Sequence, residues 1–92
     1  MKKILKYELK TVDGVQEIEL PKYAQVLSVG AQRNTICFWV LVNGKLEGTE
    51  VRAFEIFGTG MIIPEVPKER NYLGQAQLSS TEVYHVFEQY EK

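Results

Sequence analysis

Apolar and polar residues alternate with period two along most of this chain, the pattern of half-buried β-strands rather than of helices. Ile4 to Leu9 sets Leu5, Tyr7 and Leu9 on one face, with Lys6, Glu8 and then Lys10 on the other. Thr11-Val12-Asp13-Gly14 follows, and its Asp-Gly predicts a tight hairpin, since Gly carries positive φ without strain. The return strand, Val15 to Leu20, opposes Gln16, Ile18 and Leu20 to Glu17 and Glu19. Pro21 ends it, lacking the N–H that a ladder uses. After Lys22-Tyr23, a third strand over Ala24 to Gln32 is carried by Val26, Leu27 and Val29. Gly30 inside it marks a bulge or the close approach of another group. Arg33-Asn34 is a short turn.

The next run, Thr35-Ile36-Cys37-Phe38-Trp39-Val40-Leu41-Val42, holds the chain's one Trp and one Cys. It is rich in β-branched and aromatic residues, which suit a pleated surface. Both of its alternation faces are apolar, so it is expected to be a central strand covered on both sides, with Trp39 and Cys37 used for packing. Asn43 to Gly48 reads as a hairpin loop into Thr49–Phe57. There Val51, Ala53, Glu55 and Phe57 share one face, and Arg52, Phe54 and Ile56 the other.

From Gly58 to Asn71 the alternation breaks, and Gly58, Gly60, Pro64 and Pro67 exclude helix or central strand. Tyr72 to Leu78 resumes as a strand with Tyr72, Gly74, Ala76 and Leu78 on one face. Val83 to Tyr90 sets Val83, His85 and Phe87 against Tyr84, Val86 and Tyr90. Helix is the alternative here, with Ser80-Thr81 as a cap, but Val-Tyr-His-Val-Phe favours strand. About seven short strands joined by turns predict an all-β fold: one domain over residues 1–92, a small antiparallel β-sandwich or barrel.

Composition removes several function classes. A net charge of −1 gives no reason to expect duplex nucleic acid as a partner. One Cys and one His leave a zinc site almost without ligands, so neither a metal nor a cofactor is expected. No segment approaches the ~20 apolar residues of a membrane helix. Lys6, Glu8 and Lys10 interrupt any signal-like apolar stretch, so the chain is read as cytoplasmic and mature from Met1. Lys2, Lys3, Lys6 and Lys10 at the start face Glu82, Glu88 and Glu91 at the end, as if the two terminal segments paired across strands.

The candidate chemistry points to binding. His85 has no evident nucleophile or acid–base partner in the sequence, so no catalytic residue is expected. Phe57-Gly58-Thr59-Gly60 could aim backbone N–H groups at a phosphate or carboxylate, although no P-loop follows it. Gln32, Arg33 and Asn34, with Trp39, Tyr23 and Tyr72, could stack and read a nucleobase. Arg52, Arg70 and Lys68 are available to neutralise phosphate. Each of these has a plain structural alternative: a turn, a core aromatic, a solvated charge.

Tyr7-Glu8-Leu9, Gln16 to Lys22, Ala24 to Val29, Cys37 to Val42, Phe57 to Gly60, Tyr72-Leu73-Gly74 and His85 to Glu88 together resemble a family of small, uncharacterised phage and prophage proteins. The resemblance covers nearly the whole chain. It departs at Met61-Ile62, where relatives have His-Pro, and at Ser79-Ser80-Thr81, where they have a Gly-rich turn. A phage setting implies a non-enzymatic sponge that sequesters a nucleotide immune signal, a cyclic dinucleotide such as 3'3'-cGAMP, in pockets of a homo-oligomer (a dimer or tetramer) within the infected host. On that expectation Gly58, Thr59 and Gly60 contact phosphate, Arg33, Arg52 or Arg70 neutralise it, and Trp39, Tyr72 or His85 stack. The alternatives are a protein–protein module, as a structural accessory or an inhibitor of a host protein, and a small enzyme acting on nucleotides.

Overall fold

The protein is described here by a computed structural model covering residues 1–45 and 48–90. Each apolar alternation becomes a strand: β1 Lys2–Leu9, β2 Gln16–Pro21, β3 Gln25–Gln32, β4 Thr35–Asn43, β5 Thr49–Gly58, β6 Glu69–Gln77 and β7 Val83–Tyr90. They form two antiparallel sheets, one ordered β1-β4-β3 and the other β2-β5-β7-β6. The result is a sandwich and not a closed barrel. The final segment is strand, so the helical alternative for it is excluded.

The core lies between the sheets, where one alternation face of each is apolar. Ile36, Phe38, Val40 and Val42 of β4 are buried against Phe54 and Ile56 of β5 and Val86 of β7. Phe38 carries the contact across the layers, its ring 4.7 Å from Phe54 of the facing sheet and 5.5 Å from Tyr7, its neighbour on β1. At about 25 cal/mol per Å² of apolar surface, fully burying side chains of this size contributes roughly 1.5–3 kcal/mol each.

Connectivity departs from the sequence reading in three places. The Asp13-Gly14 turn does not close a hairpin: β1 pairs with β4 and β2 with β5, so the chain changes sheet there. Gly14 does take positive φ (90°), but a left-handed residue sets the local bend and not the partner strand. The Asn43–Gly48 segment likewise crosses between sheets, and Leu46 and Glu47 within it lie outside the described residues. The terminal charged segments do not pair, because β1 and β7 belong to different sheets, and Glu91 lies outside the described residues. Lys6 instead donates to Gln32 at 2.6 Å. The hairpin at Arg33-Asn34 is present: Gln32 pairs with Thr35, and φ of 53° and 62° at the two turn residues match a type I′ turn.

β4 is central in its sheet but covered on one side only. Its other face holds Cys37, Trp39 and Leu41, of which Cys37 is buried and the other two half-buried. No further layer lies over that face among the described residues. Trp39 therefore sits outside the core, its indole resting on Gly30, where a Cβ would come within 3.4 Å of the ring. That contact explains Gly30. The bulge of β3 falls instead between Val26 and Ser28.

A second bulge, between Tyr72 and Gly74, has larger consequences. One extra residue reverses the facing of everything before it. Tyr72 consequently lies on the outer face opposite Phe87, while Gly74 and Ala76 turn inward. Gly74, at φ 152°, lets β6 approach β3 so closely that a Cβ would lie 3.1 Å from Val29 Cβ.

Candidate functional site

Four strand ends meet at one end of the sandwich. Antiparallel register sets Leu9 of β1 beside Ile36 of β4, and Gly58 of β5 beside Tyr84 of β7. The loops continuing from those ends, with the turn before β4, surround three adjoining hollows of about 460, 240 and 220 Å³ that share Tyr84. The largest has an apolar floor of Leu9, Ile36 and Leu78 and polar walls that include Lys10, Asn34 and Glu82. Its volume is within the usual range for small-molecule sites. The smaller two extend it along Gly58 and Met61.

Tyr84 is placed there by parity, as an inward-facing residue beyond the last core layer. Its hydroxyl donates to Glu82 Oε2 at 3.1 Å. That bond, and the carboxylate's negative charge, hold the Tyr84 phenol above its ordinary pKa. Ser79 fixes the loop before β7: its Oγ accepts the N–H of Thr81 at 3.3 Å and of Glu82 at 3.1 Å, and donates to Glu82 Oε1 at 3.3 Å. Across the end, the Gln16 side chain donates to the Lys10 carbonyl at 2.6 Å and accepts the Lys10 N–H at 2.9 Å, fixing the start of the β1–β2 loop.

The Gly58–Met61 segment borders the cleft as a β-turn. Met61 N–H donates to the Gly58 carbonyl at 3.0 Å, and Gly60 takes φ 91° at the position where a type II turn favours glycine. Thr59 N–H donates to the Val83 carbonyl at 3.1 Å, and Gly58 N–H faces the Met61 sulfur at 3.1 Å. These N–H groups are engaged by the turn itself and by Val83 of β7 and do not converge on an outside point, so the segment is not a backbone anion cradle. What it offers the cleft is shape.

The remaining expected site residues lie elsewhere. Tyr72 and His85 stand on the outer face of the β2-β5-β7-β6 sheet, and there they form a chain with Thr59. Tyr72 Oη is 2.9 Å from His85 Nδ1, and His85 Nε2 is 2.9 Å from Thr59 Oγ1. Arg70 lies on that face too, over the Phe57 ring at 5.5 Å. Its Nε donates to Glu55 at 2.7 Å and its Nη1 to the Pro64 carbonyl at 2.6 Å, while Gln89 also donates to Glu55 at 3.1 Å. Arg70 thus ties the loop after β5 down over the sheet. Arg52 faces inward as a clamp, with two bonds to Glu88 at 2.6 and 2.8 Å and one to the Ala24 carbonyl at 2.5 Å. The bond to Glu88 pushes its guanidinium pKa up. Both forks are occupied by carboxylates. Arg33 is exposed on the β3–β4 turn beside Asn34, and Trp39 lies on the far sheet.

Of the expected residues, then, Gly58 and Thr59 line the cleft, with Gly60 in the same turn and Arg33 next to its wall. Lys10, Glu82 and Tyr84 are cleft residues that the sequence reading did not single out. Their signal is positional: each lies at or next to a strand end, which matters only once the pairing is known. Among the described residues no cluster of three or more His, Cys, Asp or Glu is arranged to hold a metal, and no helix is long and apolar enough to cross a membrane.

Neither a curated protein nor a solved structure matches the chain. A family model does match, over residues 1–92, and the chain belongs to that family, described as a domain of unknown function, DUF7352.

Proposed function

We propose that this protein binds and sequesters a nucleotide immune signal, such as a cyclic dinucleotide, without acting on it chemically, and so serves a phage in the cytoplasm of its host. The observation that carries this reading is the meeting of Asn34, the Gly58–Met61 turn and Tyr84 on one cleft with an apolar floor. An aromatic ring stacks a base, worth ~1–3 kcal/mol, and Lys10 supplies a cation for phosphate. The Thr59–His85–Tyr72 chain supports binding over catalysis: the group orienting the imidazole is a phenol, where an activated nucleophile would have a carboxylate. A panel of cyclic and linear nucleotides, screened by thermal shift, tests the proposal. Ligand at 100-fold its Kd stabilises by about 2.7 kcal/mol, and a flat response across the panel refutes it. Intact ligand recovered after heat denaturation is expected; a converted product would instead favour an enzyme.

One observation favours a protein interface as well. Met61, Ile62, Ile63 and Val66, in the loop after β5, are 50%, 87%, 42% and 38% exposed. Such an apolar arm suits contact with a second copy, giving the dimer or tetramer that a sponge uses, or contact with a host protein.

A further inference from the structure

Phosphate recognition does not explain Glu82, a carboxylate that would repel the anion. Its oxygens are held but not saturated. Oε2 accepts from Tyr84 and Oε1 from Ser79, whereas a carboxylate offers about four acceptor sites. Acceptor capacity is therefore left on both oxygens, and a carboxylate with capacity on both can receive two parallel N–H donors. The ring bonded to this carboxylate is the aromatic surface shared by all three hollows.

We propose that the cleft selects guanine, with Glu82 accepting the two adjacent N–H groups of the base (N1–H and the 2-amino group) beside the Tyr84 ring. This rests on the nucleotide reading given above and adds the identity of the base. Adenine sets an acceptor nitrogen next to its amino group, so its lone pair would face a carboxylate oxygen. Uracil has one N–H between two carbonyl oxygens, and cytosine one amino group beside an acceptor. Guanine alone among the four presents two neighbouring donors. An arginine side chain would also satisfy Glu82, but it would leave Lys10, in the same cleft, facing a second cation. A nucleotide satisfies both charges, its base with Glu82 and its phosphate with Lys10.

The test measures the full chain calorimetrically against cyclic di-GMP, cyclic di-IMP and cyclic di-AMP. A good bidentate base contact corresponds to about 10- to 100-fold discrimination per base. Wild-type protein should prefer cyclic di-GMP to cyclic di-AMP by that factor, with cyclic di-IMP, which lacks the 2-amino group, between them. Glu82→Gln should abolish or reverse the preference, because an amide presents one donor and one acceptor and so matches adenine. An unchanged melting temperature in E82Q shows that the fold is intact, and the wild-type ranking stands as evidence independent of the variant. Equal wild-type affinity for the guanine and adenine ligands, or a preference unaltered in E82Q, overturns guanine selection while leaving nucleotide binding in place. No binding of any nucleotide overturns both, and so does Glu82-dependent capture of an arginine peptide alone.

Discussion

Replacing Gly74 with alanine tests the closure of the sandwich, because two separate costs meet at one atom. Gly74 has φ 152°, a conformation that residues with a side chain rarely adopt. Forcing alanine to take it costs about 1–3 kcal/mol. The new Cβ would also lie 3.1 Å from Val29 Cβ and 3.4 Å from its Cγ2. Relieving that contact moves β6 from β3, at an overpacking cost of about 1–3 kcal/mol. A single methyl needs a shift of only a few tenths of an ångström, so the low end of the second range applies and the sum is roughly 2–4 kcal/mol. For a domain of this size each kcal/mol lowers Tm by about 4–8 °C, giving an expected drop of at least about 8 °C. Total stability is of order 5–14 kcal/mol, so the variant should still fold.

Urea denaturation followed by circular dichroism gives the free energy, and a double-mutant cycle with Val29→Gly separates the two costs. If the contact matters, the V29G/G74A pair is less destabilised than the sum of its parts by at least about 0.5 kcal/mol. The backbone cost remains in the double variant. G74A within about 0.5 kcal/mol of wild type would refute the whole argument, and strict additivity would refute the contact alone.

Arg52→Ala removes the clamp from Glu88 and from the Ala24 carbonyl. At this half-buried pair, between the exposed (~0–1) and buried (~3–5) limits, it should cost about 2 kcal/mol by denaturation, and a loss below about 0.5 would show the pair to be ornamental. Tyr84 should ionise above the usual phenol range in a spectrophotometric titration, and Glu82→Gln should return it toward that range; no difference between the two proteins counts against the hydrogen bond. The sign follows from a raised folded-state pKa. The contribution of Tyr84 to stability is complete below the ordinary phenol pKa and is lost as pH rises through the higher folded value. If the proposed homo-oligomer forms through the exposed Met61–Val66 arm, Ile62→Glu should lower its mass toward that of a monomer in light scattering, whereas a protein that is an oligomer with or without the substitution would move the interface elsewhere.

The strands were legible because period-two alternation is a local property, and every one of the expected runs became a strand. Pairing was not, because partners are chosen by burial across the whole domain. Asp13-Gly14 bends the chain equally well in a hairpin or in a crossover, and only the competition between β2 and β4 for β1 decides which forms. A bulge of one residue leaves no mark on composition, so Tyr72, expected on the face of Gly74 and Ala76, lies on the other. An apolar face looks the same in sequence whether a second layer covers it or not, so the half-exposed position of Trp39 is not legible there. The two breaks in pattern, at Gln32–Asn34 and at Phe57–Met61, both fall at the cleft end of the sandwich. The anion cradle expected at the second does not form, since the N–H groups of Gly58, Thr59 and Met61 are engaged by the turn itself and by the Val83 carbonyl.

That these two breaks share a cleft is a consequence of length and direction. β4 begins just after Asn34 and runs nine residues, about 30 Å; β5 runs ten, about 33 Å, and ends at Gly58. The 43–48 crossover joins them at the opposite end, so β5 returns in the facing sheet to the level at which β4 began. β1, antiparallel to β4, ends there and delivers Lys10; β7, antiparallel to β5, starts there and delivers Glu82 and Tyr84. The cleft is therefore specified by matched strand lengths in two sheets rather than by any contiguous motif. It follows that lengthening the 43–48 crossover leaves the cleft intact, while a two-residue slip of β7 on β5 preserves every core facing yet carries Tyr84 and Glu82 about 7 Å away from Lys10.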